Sequence, residues 1–323
     1  MRRGTQIVVW LAFLATAVAI GLVSNSQHVL TLAIQTMTLA ALALSWNVLG
    51  GYAGQISLGH AAFFGLGALV TRELWLGGSP LFLAVLVAVG VTAAVAAIVG
   101  VPMLRFRDIY FAIGTLALGV AVFITAGNLW PGITSLPADA LREYDFTSRY
   151  FMTFGVLLAA LLVSVWLKHS KLGLGMMAVR DDEEAAGATG VSAFAHKMIA
   201  FVVSAAFAAL AGSAFAYFSA SYFPNFAFSV VWTFEAILVV FIGGVGTIVG
   251  PILGSVFFVV GRDALPSGID EFQVVMFGVL FIVVVLLFPG GLTEAAQRLL
   301  GRASQRSQSP ADRPKTRGGK ELV

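Results

Sequence analysis

The chain has 323 residues, of which 59% are hydrophobic and 11% charged, with a formal net charge of +3. Soluble domains carry about 25% charged residues, so this composition leaves no room for a large water-soluble domain. Cysteine is absent, which removes disulfide frameworks, thiolate metal sites and Cys nucleophiles.

No Asp, Glu, Lys or Arg occurs between Arg3 and Arg72, and further uncharged runs cover 74–104, 109–138, 150–167 and 272–293. A helix needs about 20 residues to cross a bilayer, and each run is long enough for at least one. In chain order they predict spans near 7–24, 28–49, 55–71, 80–104, 109–127, 150–167, 197–220, 229–243, 247–261 and 273–288. The expected fold class is all-α: a polytopic integral membrane protein with about ten transmembrane helices over 1–295. Eight spans plus re-entrant segments is the alternative, because Gly50, Gly51 and Gly54 interrupt one run and GGVG another. The first run reads as a span behind Arg2 and Arg3; the other reading is a cleaved signal peptide with ATAVA as its exit.

Basic residues orient these spans. With the N-terminus inside, the cytoplasmic segments collect Arg2, Arg3, Arg105, Arg107, Lys168, Lys171, Arg180, Lys197 and the seven Lys or Arg from Arg298 to Lys320. The other side receives Arg72, Arg142, Arg149 and Arg262. This bias puts both termini in the cytoplasm. The positive charge therefore reflects topology, and nothing supports a nucleic-acid partner. The tail over 296–323, basic and rich in Ser, Gln and Pro, reads as disordered and solvated.

One hydrophilic island, 168–197, stands between the apolar runs and carries RDDEEAAGATGV from Arg180 to Val191. Asp181, Asp182, Glu183 and Glu184 are placed to open a short helix, where carboxylates favour the positive end of the dipole. Ala185 and Ala186 propagate it and Gly190 ends it. Such an acid-led knob suits a groove on a soluble partner, with its charges fixing orientation; the plainer reading is a solvated loop helix. Met176 and Met177, just ahead, read as apolar packing against the partner or the membrane.

GGYAGQISLGH is a second candidate. Gly51, Gly54 and Gly59 break a helix in mid-membrane, which is tolerated where the freed backbone groups are buried or line a cavity. Gln55, Ser57 and His60 bring hydrogen-bonding side chains into the break, so the segment either lines a substrate path or serves close helix packing. Glu235, the sole charged residue between Lys197 and Arg262, is a functional candidate because an unpartnered intramembrane carboxylate is costly. His28 and His60 lack a second ligand at metal spacing, so no metal site is expected. GGVGTIVGP has no Lys and reads as a hinge or tight turn.

The island pattern resembles the coupling-helix motif of ABC importer permeases. SWNVLGGYAGQISLGHAAFFGLGA (45–68), HKMIAFVVSAAFAALAGSAFAYF (196–218), IGGVGTIVGPILGS (242–255) and LLFPGGL (286–292) resemble, in this order, the permease subunits of branched-chain amino acid ABC transporters. Of the two related permeases, the longer subunit is the nearer match. One loop, GNLWPGITSLPAD (127–139), departs from that pattern and puts binding-protein docking or substrate choice in question. The resemblance implies an ABC importer permease fold in a bacterial-type inner membrane and a homologous second permease, with a homodimer as the alternative. It also implies cytoplasmic ATPase subunits that carry ATP and Mg, and an extracytoplasmic substrate-binding protein. This chain lacks G-x-x-x-x-G-K-[ST], so no cofactor is expected on it and no catalytic residue is assigned. Urea, short amides, aromatic acids and sugars are alternative substrates. An ion-coupled secondary transporter is the rival class, disfavoured because the spans hold so little charge.

Overall fold

The computed structural model describes residues 17–264, except 25, 131–133, 137 and 143, together with 278, 279, 282 and 291. Helix α1 (Gln27–Asn47) continues into a π-helical turn (Val48–Tyr52), and after an irregular stretch α2 follows (His60–Leu76). Then come α3 (Leu81–Met103), α4 (Asp108–Leu129), the short α5 (Ala138–Arg142) and α6 (Phe146–His169). The island holds α7 (Lys171–Asp181) and α8 (Glu183–Ala188). The chain then runs through α9 (Ala193–Phe218), the single turn α10 (Pro224–Ala227), α11 (Val231–Gly243) and α12 (Gly250–Asp263). Strands β1 (Thr134–Ser135) and β2 (Ser221–Tyr222) form one short antiparallel pairing.

Six of the described helical segments are long and apolar enough to cross a bilayer: Gln27–Tyr52, Leu81–Met103, Asp108–Leu129, Phe146–His169, Ala193–Phe218 and Pro224–Gly243. Six of the ten or so expected spans are therefore of spanning length among the described residues. Helix α2 has 17 residues and α12 has 14, both short of a full span. Residues 17–23 of the first expected span are helical. The rest of that span, the span near 273–288 apart from three positions, and the tail over 296–323 lie outside the described residues.

Helix α9 is the axis of the fold, packing on α1, α2, α3 and α6. It crosses α2 backbone to backbone: a methyl group added at Gly212 would strike the carbonyl of Phe64, and one at Gly67 would strike Ala209. Small residues permit this approach where apolar lipid provides no hydrophobic force between helices. Helix α3 shows the same economy, with Ala84, Ala88, Thr92, Ala96 and Gly100 as its buried residues, one every four positions. That spacing keeps the seam on one face. Its outward face carries Phe82, Leu83, Leu86, Val87 and Ile98, a hydrocarbon surface suited to lipid.

The bundle has two distinct ends. At the first lie the π-turn, the α3–α4 connection, the island and the α11–α12 turn. The second carries β1, β2, α10 and a clamp in which the Arg149 guanidinium sits 3.6 Å from the Tyr144 ring and 4.5 Å from that of Tyr217. Arg72, expected in an outer loop, is instead buried and donates to the carbonyls of Ala216, Ser219 and Ala220. It satisfies acceptors that the end of α9 leaves open.

Helix α6 begins at Asp145, whose carboxylate accepts from the backbone N–H groups of Thr147 and Ser148. The Ser148 hydroxyl, followed by those two N–H groups, holds the Asp145 carboxyl below the usual carboxylate range. A depressed folded value means the cap's contribution is fully present above the unfolded value, about pH 4. It is lost as pH falls through the lower folded value. Asp145→Ala is expected to destabilise the detergent-solubilised chain by about 1 kcal/mol at neutral pH, with the deficit shrinking progressively below pH 4. Thermal unfolding measured across that range checks it, and a pH-independent deficit contradicts the capping account.

Candidate functional site

The island does not fold as one acid-led helix. Ser170 caps α7 by accepting from the Gly173 N–H, and Asp181 is the last residue of α7. The chain then extends at Asp182, which caps α8 by accepting from the N–H groups of Glu184 and Ala185 at 2.9 Å each. The expectation that all four carboxylates open one helix is thus corrected, because the extended backbone that a cap requires falls at Asp182, leaving Asp181 in the preceding helix. Only Glu183 and Glu184 occupy the first turn of α8. Gly190 follows the helix at φ +87°. In that region of backbone space glycine is unstrained.

Each island residue has a definite place. The Lys197 ammonium donates to the Glu183 carboxylate at 2.6 Å, tying α8 to the first turns of α9. Ala186 is buried, while Glu184, Ala185 and Gly187 face outward. Met176 is fully buried in the chain's own core and Met177 packs against it. Their expected packing against a partner or the membrane is therefore corrected to packing within the bundle.

The second candidate segment makes a dip. From Trp46, at the depth of Ser45 and Ser204, the π-turn descends to the island end and the chain climbs back to His60. Ser45 and Ser204 exchange hydroxyl-to-carbonyl bonds of 2.8 Å, and His60 Nε2 lies 2.5 Å from the Ser204 hydroxyl. Ser204 stands eleven residues into α9, roughly 16 Å from its start at 1.5 Å per residue. Helix α2 therefore starts at mid-depth, which explains its short length.

Several backbone groups freed by the break find partners. The Gln55 N–H donates to the Leu49 carbonyl, the Leu58 N–H to the Thr115 hydroxyl, and the Ala61 N–H to the Thr233 hydroxyl. The Ser57 carbonyl accepts from the Trp46 indole. Such satisfaction is what makes irregular backbone tolerable at this depth. Gln55, Ser57 and His60 are all buried, and Gly59 lies against the backbone of Thr115. None of these groups lines the cavity described below.

The two candidate segments, far apart in sequence, meet at Arg180. Its guanidinium donates to the Gly51 carbonyl at 2.7 Å and pairs with Asp181 at 2.8 Å. Gly54 faces the Arg180 stem at φ +71°, and an added Cβ would come within 2.6 Å of Arg180 Cγ. Asn47 completes the node. Its amide donates to the Thr247 carbonyl and its oxygen accepts from the Gly246 N–H, both at 2.8 Å. One cluster thus joins the island, the end of α1 and the α11–α12 turn, where Gly244 and Gly246 take positive φ. The GGVG tight turn foreseen in the sequence is therefore present and held by α1.

Glu235 stands apart at the opposite end. It pairs with Arg262 at 3.4 Å, and Arg262 also donates to Gln35 at 3.2 Å. The three surround a cavity of about 240 Å³. Sequence reasoning missed Arg262 and Gln35 as its partners, and missed Asn47 at the other end. The available signals were a polar residue closing a long apolar helix and two opposite charges placed on consecutive antiparallel helices.

A multi-helix bundle with six helices of spanning length, a broken helix and its charge gathered at the two ends defines a multi-pass membrane protein. Residues 28–285 match the family described as branched-chain amino acid transport system / permease component, and the chain belongs to that family. It is 30% identical over 304 residues to the high-affinity branched-chain amino acid transport system permease protein LivM of Escherichia coli (strain K12). That alignment covers 83% of this chain and 70% of the relative. The probable branched-chain amino acid transport permease protein LivM of Methanocaldococcus jannaschii is 25% identical over 246 residues, covering 69% of this chain and 71% of the relative. LivH of Salmonella typhimurium, a permease of the same description, is 28% identical over 137 residues, 42% of this chain and 44% of the relative. No solved structure matches. The family is one of transport permeases, not enzymes.

Proposed function

We propose that the chain is one permease half of an ATP-driven importer for branched-chain or related hydrophobic amino acids. Residues 1–295 form the membrane domain, with 168–197 as its cytoplasmic coupling loop and 296–323 as a solvated tail. Both termini face the cytoplasm of a bacterial-type inner membrane. A homologous permease completes the path, cytoplasmic ATPase subunits carry ATP and Mg, and an extracytoplasmic binding protein delivers ligand.

Support for the coupling role comes from one observation: Arg180 bonds the Gly51 carbonyl. A displacement of α8 by a partner is passed through this bond to the broken helix, and through Asn47 to the α11–α12 turn. Glu184 and Ala185 present an exposed face on which that partner can act. Gly51, Gly54, Gln55, Ser57, Gly59 and His60 then belong to the moving element of the path, and Glu235 to its far end.

Gentle detergent purification of the tagged chain from its native membrane, with mass spectrometry of what co-elutes, tests the reading. A Walker-motif ATPase and a second permease are expected in the eluate. A chain that purifies alone and still transports contradicts it.

A further inference from the structure

Glu235 and Arg262 belong to different helices, α11 and α12, yet face the same cavity at the end of the bundle away from Arg180. Neither is fully covered: the side chains are 18% and 32% exposed. The rest of the wall is largely aromatic. Trp232 lies 5.2 Å from the Phe215 ring and 5.8 Å from the Phe226 ring, and all three line the cavity with Gln35.

Charge in a membrane helix is costly, and an apolar pair of similar shape is often as stable as a buried ion pair. The geometry here is also loose. Arg262 reaches Glu235 at 3.4 Å and Gln35 at 3.2 Å, against about 2.7–2.9 Å for a well-formed charge-assisted bond. Guanidinium has five N–H donors and a carboxylate about four acceptor sites, so both groups keep unused bonding capacity at the cavity they line.

The site therefore offers a cation, an anion and an aromatic wall in about 240 Å³, below the roughly 300–1,000 Å³ of sites for drug-sized ligands. A monoanion would meet Glu235 and a monocation would meet Arg262. A dipolar molecule complements both. We infer that this cavity recognises a small zwitterionic α-amino acid with an apolar side chain: Arg262 takes its carboxylate, Glu235 its ammonium, and Trp232 with Phe215 and Phe226 its hydrocarbon. The inference rests on the importer reading and specifies where along the path the ligand is first held.

The test is binding of radiolabelled L-leucine to the intact complex in membranes washed free of binding protein. Competitors are 4-methylpentanoate, which lacks the ammonium, and 3-methylbutylamine, which lacks the carboxylate. Each is expected to compete at least tenfold more weakly than leucine. Glu235→Gln is expected to weaken leucine binding tenfold or more without weakening 4-methylpentanoate, and Arg262→Gln to do the same with respect to 3-methylbutylamine. Equal competition by all three ligands in the unaltered complex overturns the inference, whether or not either variant folds. So does leucine binding that is unchanged in both variants. If the unaltered complex ignores branched-chain amino acids but binds another amino acid through Glu235 and Arg262, the proposed substrate fails and the cavity assignment stands.

Discussion

Replacing Gly54 by leucine is expected to abolish leucine uptake by the complete transport system, with a loss of at least a hundredfold, while the chain still inserts and still retains its ATPase. Two independent costs act at this position. The backbone sits at φ +71°, where a side chain costs roughly 1–2 kcal/mol. The new Cβ would also come within 2.6 Å of Arg180 Cγ, so the arginine must leave and its bond to the Gly51 carbonyl is lost with it. Helix α8 keeps its own anchors in the Asp182 cap and the Glu183–Lys197 pair, which is why partner binding survives. Gly54→Ala carries the same Cβ at the same positive φ and is expected to lose uptake as well, with the leucine variant adding further bulk beyond that Cβ. Uptake assays beside co-purification of the ATPase separate the two effects, and normal uptake by the leucine variant removes Arg180 from the coupling route.

The second large effect is expected from Glu184→Arg with Ala185→Arg. Both positions are exposed on the first turn of α8, so neither change opens a hole in the core. Two cations replace one anion at the positive end of a helix dipole, an opposition of about 0.3–1 kcal/mol each. The larger consequence is for recognition, since a charge reversal at an interface rejects a partner shaped for the original sign. Uptake is expected to fall to background and ATPase co-purification to be lost, with membrane insertion unchanged. Retained uptake sinks the assignment of α8 as the coupling element.

The two predictions rest on features of unequal visibility in the sequence. The apolar runs were legible because hydrocarbon thickness imposes a length that sterics and hydrogen bonding cannot evade. The island was legible because charge is rare elsewhere, and the GGVG turn because glycines broke a long apolar run. The split between Asp181 and Asp182 was not legible. Both residues suit a helix start, and the sequence does not record that α7 runs on to Asp181 and leaves Asp182 to cap α8. The late start of α2 was likewise hidden, because apolar composition does not record that the chain dips through the π-turn and climbs back over 53–59. Glu235 was visible as an isolated charge, but its pairing with Arg262 depends on α11 and α12 lying antiparallel.

The bond from Arg180 to Gly51 is made to a main-chain oxygen, and this shapes how the node can be altered. Every amino acid at position 51 carries the same carbonyl, so the acceptor group itself survives substitution there, but an added Cβ would strike the Asn47 amide and the Gly246 backbone and disturb the node. The connection can be cut at the donor, or displaced by bulk at Gly54, but it cannot be re-paired by swapping two side chains. A pairwise swap of the kind that reverses a salt bridge has no counterpart here. The contact between the island and the broken helix therefore specifies one residue type at one end and only a shape at the other.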